Sequence, residues 1–181
     1  MQNYVFMLEE ESMKLFIETL LPRFYPAIQF RCIAHMGKND LEKSIPRKLA
    51  AWQDEDSRFI IIRDNDNAAR GSIEKKIGDM CTKSGRFQDT ITHIAYQELE
   101  AWYLGELAAL ERSYHVALPV NNRQKKFRTP DSLGSPSKEI KKLVPAFQKL
   151  DGAVRIAKTL TKDANCSDSY NAFLGIIENL A

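Results

Sequence analysis

Two aspartates one residue apart, Asp64-Asn65-Asp66, follow directly on the run Phe59-Ile60-Ile61-Ile62-Arg63. Carboxylates this close repel each other unless a cation lies between them, and an all-oxygen donor set suits a hard divalent ion, Mg²⁺ or Mn²⁺. The β-branched run reads as a strand buried on both faces, so the acids leave its C-terminal end. In open α/β sheets that end is where ligands bind. The plain structural alternative is turn chemistry that caps a helix beginning near Ala68.

A second apolar run, 3–8, ends in Glu9-Glu10-Glu11 before Ser12, a plausible N-cap for an amphipathic helix carrying Met13, Phe16, Ile17, Leu20 and Leu21. If the two runs are parallel neighbours, Glu9 joins Asp64 and Asp66 on one sheet edge. An acidic first helical turn that complements the macrodipole accounts for Glu10 and Glu11 better than for Glu9. Glu98 and Glu100 follow a later run and could complete the shell or hold a second ion about 3.5–4 Å away. Residues two apart do not share a helix face, so one of the two is expected to serve; Glu98 is nearer the strand end.

His35 and Lys38 bracket Gly37 after the second predicted strand. Gly37 lets backbone approach a phosphate, Lys38 offers a point charge and His35 a general acid or base, although an ordinary strand-to-helix turn explains the segment too. Lys125, Lys126 and Arg128, with Phe127 among them in the segment 123–128, suit a phosphate backbone with a stacked base; a solvated charged loop is the bland reading. His93 falls within a predicted strand and His115 after a helix, and both are expected to be structural. Trp52 and Trp102 sit at helical spacing with apolar residues, as core residues do.

The elements that must position these residues form an alternation: strands over 3–8, 28–34, 59–63 and 90–95, and helices over 12–24, 41–52, 68–83 and 97–110. That pattern predicts an α/β fold with a mostly parallel sheet sandwiched by helices. Pro46 falls in the second helix, which starts near it or bends. After Tyr114 a basic, Pro- and Gly-punctuated loop leads to helices near 137–150, 153–160 and 169–180. The chain thus reads as an α/β domain over 1–115 and a basic loop with a helical extension over 116–181, packed on the same domain.

At 181 residues and 44% hydrophobic content, the chain can bury a substantial core, and its net charge of +2 neither demands nor excludes a nucleic-acid partner. Three widely spaced cysteines fit neither a zinc site nor a disulfide framework, and point to reduced thiols in a cytoplasmic protein. No signal peptide or bilayer-length apolar run is present, so no membrane association is expected.

An acidic residue after the first strand and Asp-x-Asp after a later parallel strand resemble the signatures of the TOPRIM (topoisomerase-primase) superfamily. More closely, the chain resembles a small prokaryotic TOPRIM-like family, a domain of unknown function, at Leu8-Glu9-Glu10-Glu11-Ser12-Met13, at 35–41, at 45–49, at Arg63-Asp64-Asn65-Asp66 and at 98–105. The likeness continues through 127–131, Gln148-Lys149 and 169–173. It departs at Glu10, where TOPRIM nucleases carry Gly, and at Met36, where Glu is usual. The resemblance implies a divalent metal held by Glu9, Asp64, Asp66 and Glu100, phosphodiester chemistry with Lys38, and substrate contacts from Arg63 and Lys149 beside His35 and the loop bases. It also implies a nuclease acting on DNA or RNA, the effector of an anti-phage defence locus that encodes an AAA or ABC-type ATPase. A non-catalytic, TOPRIM-derived partner of such an ATPase is the competing expectation, and a small-nucleotide-binding or phosphohydrolase domain a third. No suitably placed Tyr motif supports a topoisomerase.

Overall fold

The computed structural model describes residues 3–119 and 124–180. Four strands, β1 (Asn3–Leu8), β2 (Phe30–Ala34), β3 (Ser57–Asp64) and β4 (Thr90–Ala95), form one all-parallel sheet in the order β2-β1-β3-β4. The helices are α1 (Glu11–Phe24), α2 (Lys38–Ala51), α3 (Arg70–Lys83), α4 (Glu100–Leu104), α5 (Leu107–Tyr114), α6 (Pro136–Leu143), α7 (Lys149–Ala157) and α8 (Asp168–Glu178). This is the α/β architecture expected from the alternation of elements. No helix among the described residues is long and apolar enough to cross a membrane.

Because side chains alternate along a strand, β1 and β3 feed two cores. Val5, Met7, Phe59 and Ile61 pack with Leu41, Ile45 and Leu49 of α2 and Ile73 and Ile77 of α3. Tyr4, Phe6, Leu8, Ile60 and Ile62 face the other way, into a larger core with Phe16 and Leu20 of α1, Trp102 and Tyr103 of α4, and Ile140, Ile156 and Phe173 of the later helices. Residues after Tyr114 therefore belong to the same core as α1 and the sheet. Both faces are covered, which explains why the strands read as continuous apolar runs.

The chain leaves β1 through α1 on one face to reach β2, then returns through α2 on the other face to β3. Neighbouring strands β1 and β3 thus send their connections to opposite faces. A crevice opens between their C-terminal ends, at the topological switch point.

The helix predicted over 97–110 is two helices. Asn165 Nδ2 donates to the Trp102 carbonyl at 2.7 Å, and Cys166 N–H donates to the Gly105 carbonyl at 3.0 Å. These bonds draw a distant segment against Gly105, where a Cβ would collide with the Asn165 amide. Gly105→Ala is expected to cost about 1–3 kcal/mol through that overpacking, measured as a lower denaturation midpoint. Smaller differences have local causes. Ser12 is not the cap of α1 but a buried residue of its first turn, its hydroxyl donating to Glu10, which occupies the N-cap. Helix α2 begins at Lys38 and runs on through Pro46.

Candidate active site

Parallel pairing sets Leu8 beside Ile62, so Glu9 emerges at the crevice next to the C-terminal end of β3. Its Oε2 accepts the Asp64 backbone N–H at 3.2 Å and lies 3.8 Å from Arg63 Nε. Glu10 turns the other way and pairs with Lys149 at 2.7 Å. The two glutamates therefore differ: Glu9 faces the strand that carries the aspartates, and Glu10 ties the start of α1 to the start of α7.

Asp64 ends β3 and is buried, and its Oδ1 has no hydrogen-bond partner. Burial, reinforced by the negative charges of Glu9, Glu100 and Glu10, pushes this carboxyl well above the usual range, against the opposing charge of Lys149. Glu100, in the first turn of α4, is 1% exposed with neither oxygen partnered. Burial pushes it up to about 7, although Lys149 works in the opposite direction. Glu9 is likewise raised, first by burial and then by the charge of Asp66. Burial alone would depress Lys149, but its bond to Glu10 and the charges of Glu100, Glu10 and Asp64 outweigh that and raise it.

Asp66 stands apart from Asp64. It adopts a left-handed conformation, φ 48°, together with Asn67 (φ 63°) and Gln97 (φ 64°). Non-glycine residues seldom adopt this region, and here cross-links hold it. Asn65 N–H donates to the Ala95 carbonyl at 3.1 Å, Asp66 N–H to the Gln97 carbonyl at 3.3 Å, and Asn67 N–H to Gln97 Oε1 at 3.0 Å. The loop after β3 is thereby stitched to the loop after β4, and Asp66 is aimed at Lys38 Nζ, 2.9 Å away in a half-exposed pair. Glu9 lies between two groupings: Asp66 with Lys38 on one side, and Asp64 with Glu100, Glu10 and Lys149 on the other.

The donor chemistry fits a hard cation, since the set is all carboxylate oxygen and the buried oxygens of Asp64 and Glu100 find no partner in the protein. The grouping is not a ready-made cage. Among the described residues no three His, Cys, Asp or Glu side chains stand together as ligands of a single ion.

Two of the expected substrate residues are engaged in the interior. His35 is buried, with its Nδ1 donating to the Leu8 carbonyl at 2.9 Å and its Nε2 accepting from Lys48 Nζ at 3.0 Å; burial lowers its pKa, so it is the neutral imidazole. Arg63 is buried too, paired with Glu42 at 2.8 Å, while Lys76 holds the other oxygen of Glu42 at 2.5 Å. These contacts bind α2 and α3 to the ends of β1 and β3. Glu98 is likewise accounted for structurally: its Oε2 accepts the Ser137 N–H at 2.7 Å and caps α6.

Lys125, Lys126 and Arg128 lie exposed on and after a short 3₁₀ turn; Lys126 pairs with Glu139 at 2.7 Å. Phe127 is fully buried and cannot stack a base. Arg123 lies outside the described residues. His93 sits inside the core against Trp102 and Phe173, its pKa lowered by burial to about 4.

Sequence reasoning missed several neighbours of the site. Tyr103 buries an unpartnered hydroxyl beside the acids, and its place three residues after Glu100, on the same helix face, was the available signal. Glu42 carried no such signal, and Lys48 only its place in the segment 45–49 of the resemblance. A cleft of about 310 Å³ also opens beside Glu100, walled by Ser137, Lys138, Lys141, Phe147, Gln148 and Lys149.

No curated protein and no solved structure matches the chain. The model of a domain of unknown function, DUF4276, matches residues 8–178, from the end of β1 to the end of α8, and the chain therefore belongs to that family.

Proposed function

We propose that the domain is a Mg²⁺-dependent, TOPRIM-type nuclease that hydrolyses phosphodiester bonds in DNA or RNA and serves as the effector of a prokaryotic anti-phage system alongside an AAA or ABC-type ATPase. One observation carries this reading: two buried carboxyls, Asp64 and Glu100, present partnerless oxygens at the switch point of a parallel sheet. Unpartnered buried polar groups are costly, and such costs are commonly borne where a site binds or reacts.

In this reading Glu9, Asp64, Asp66 and Glu100 would hold the ion, with Asp66 turning from Lys38 toward Glu9. When bound, a hard divalent ion supplies a Lewis acid for the phosphoryl oxygens and lowers the pKa of the attacking water. Lys38, freed from Asp66, offsets charge on the phosphate. Arg63 and His35 act at one remove, by fixing the ends of β3 and β1.

A second reading, a non-catalytic partner of the ATPase, is favoured by the present pairing of the site's charges, with Asp66 held by Lys38, Glu10 by Lys149, and no three acids grouped as ion ligands among the described residues. Cutting separates the two. The purified chain, alone or with its neighbouring ATPase, is expected to cleave DNA or RNA in Mg²⁺ or Mn²⁺ and not in EDTA, and Glu9→Gln is expected to abolish cleavage. Neutralising Lys125, Lys126 and Arg128 together is expected to weaken binding and flatten its salt dependence. Metal-independent cleavage, or full activity in Glu9→Gln, would remove the nuclease reading.

A further inference from the structure

The cleft between α6 and the start of α7 is lined by groups of two chemical kinds, one buried carboxyl and several lysines. Glu100 borders it, 1% exposed, with neither oxygen hydrogen-bonded to another residue. Three lysines, Lys138, Lys141 and Lys149, line it together with Ser137, the buried Phe147 and Gln148. Lys149 is paired with Glu10, and Lys141 donates to the Phe147 carbonyl at 2.5 Å. Lys138 is exposed and has no ion-pair partner among the described residues.

Lys138 and Lys141 beside the Lys149–Glu10 pair favour an anion over a second metal ion, while the buried Glu100 carboxyl calls for an O–H or N–H donor. A bare phosphate satisfies the lysines and is repelled by Glu100; a neutral sugar or base satisfies only Glu100. A nucleotide carries both groups, anionic phosphate at one end and sugar hydroxyl or base amino group at the other. At about 310 Å³ the cleft lies at the lower end of small-ligand sites, room for a single unit.

We propose that this cleft binds one nucleotide, its phosphate on Lys138 and Lys149 and a hydroxyl or amino donor on Glu100. The assignment rests on the nuclease reading in one respect: the nucleotide is taken as part of a strand, adjoining the bond to be cut. Glu100 has two free oxygens, so a share in the cation site leaves one for the cleft.

The test is calorimetric titration of the full chain in EDTA, where cutting is silent, with inorganic phosphate, a 5′-mononucleotide and a single-stranded oligonucleotide. Phosphate is expected to bind at least tenfold more weakly than either nucleotide ligand. Lys138→Glu should weaken nucleotide binding at least tenfold without changing the melting temperature, and Lys158→Glu, in a separate cleft between α5 and α7, should leave it unchanged. An oligonucleotide that binds more tightly than the mononucleotide identifies a strand as the ligand; equal affinity identifies a free nucleotide. No binding by the parent, equal binding by Lys138→Glu, or phosphate as good as the nucleotides overturns the assignment. Binding without cutting in Mg²⁺, both alone and with the neighbouring ATPase, sinks the nuclease and leaves the cleft standing, whereas cutting with an unaffected Lys138→Glu does the reverse.

Discussion

In EDTA at pH 8, the Glu100→Gln protein is expected to melt roughly 6–12 °C above the parent, the equivalent of about 3 kcal/mol for a chain of this size. The cause is the buried carboxyl itself. Burial pushes Glu100 from an ordinary 4.5 up to about 7. Between those values the folded state binds more protons than the unfolded state, so stability falls as pH rises through that window. The contribution of Glu100 is fully present below about 4.5, where both states are protonated, and lost above about 7. Glutamine removes the ionisation, so the variant's advantage should vanish near pH 4 and grow toward pH 8. Thermal melts across pH 4–8 read the difference directly. A variant less stable than the parent at pH 8 would show that Lys149 holds Glu100 in a net favourable ion pair, and the picture of a carboxyl awaiting a partner would fail.

The strands and the sheet edge that carries the acids were legible because they depend on local pattern. A run such as Phe59-Ile60-Ile61-Ile62 can be a doubly covered strand with little help from context, and β4 falls on the expected residues. Placement of Glu9 beside Asp64 followed from parallel pairing of two such runs. What was not legible depends on groups far along the chain. Glu98 and Glu100 could not be separated by spacing, because the decision rests on Ser137, whose N–H Glu98 caps. His35 carries the residue type of a general base, yet the Leu8 carbonyl and Lys48 occupy both ring nitrogens. The pairing of Glu10 with Lys149 spans most of the chain, and only the family resemblance pointed to that lysine. Phe127 sits among basic residues but covers the core, since the short 3₁₀ turn directs it inward while its neighbours stay in water.

Asp64→Asn and Asp66→Asn are expected to act alike on cutting and differently on the resting protein. Both residues belong to the proposed ion-holding set, so either change should reduce cleavage by at least about a thousandfold, roughly 4 kcal/mol of lost transition-state stabilisation. Asp64 is buried among like charges, and its neutral isostere relieves that repulsion, so the variant should melt above the parent in EDTA. Asp66 is half-exposed and paired with Lys38, a contact worth less than about 1 kcal/mol, and asparagine tolerates its left-handed backbone, so its melting temperature should barely move. Saturating Mn²⁺ should stabilise the parent by about 3 kcal/mol at a hundredfold excess over Kd, and that gain should shrink in both variants. Loss of folding in Asp64→Asn would instead mark its carboxyl as structural. In cells, the locus carrying Asp66→Ala should lose protection against phage. Protection equal to the intact locus would show that these carboxylates do not carry the function, and the domain would then act on the ATPase by contact alone.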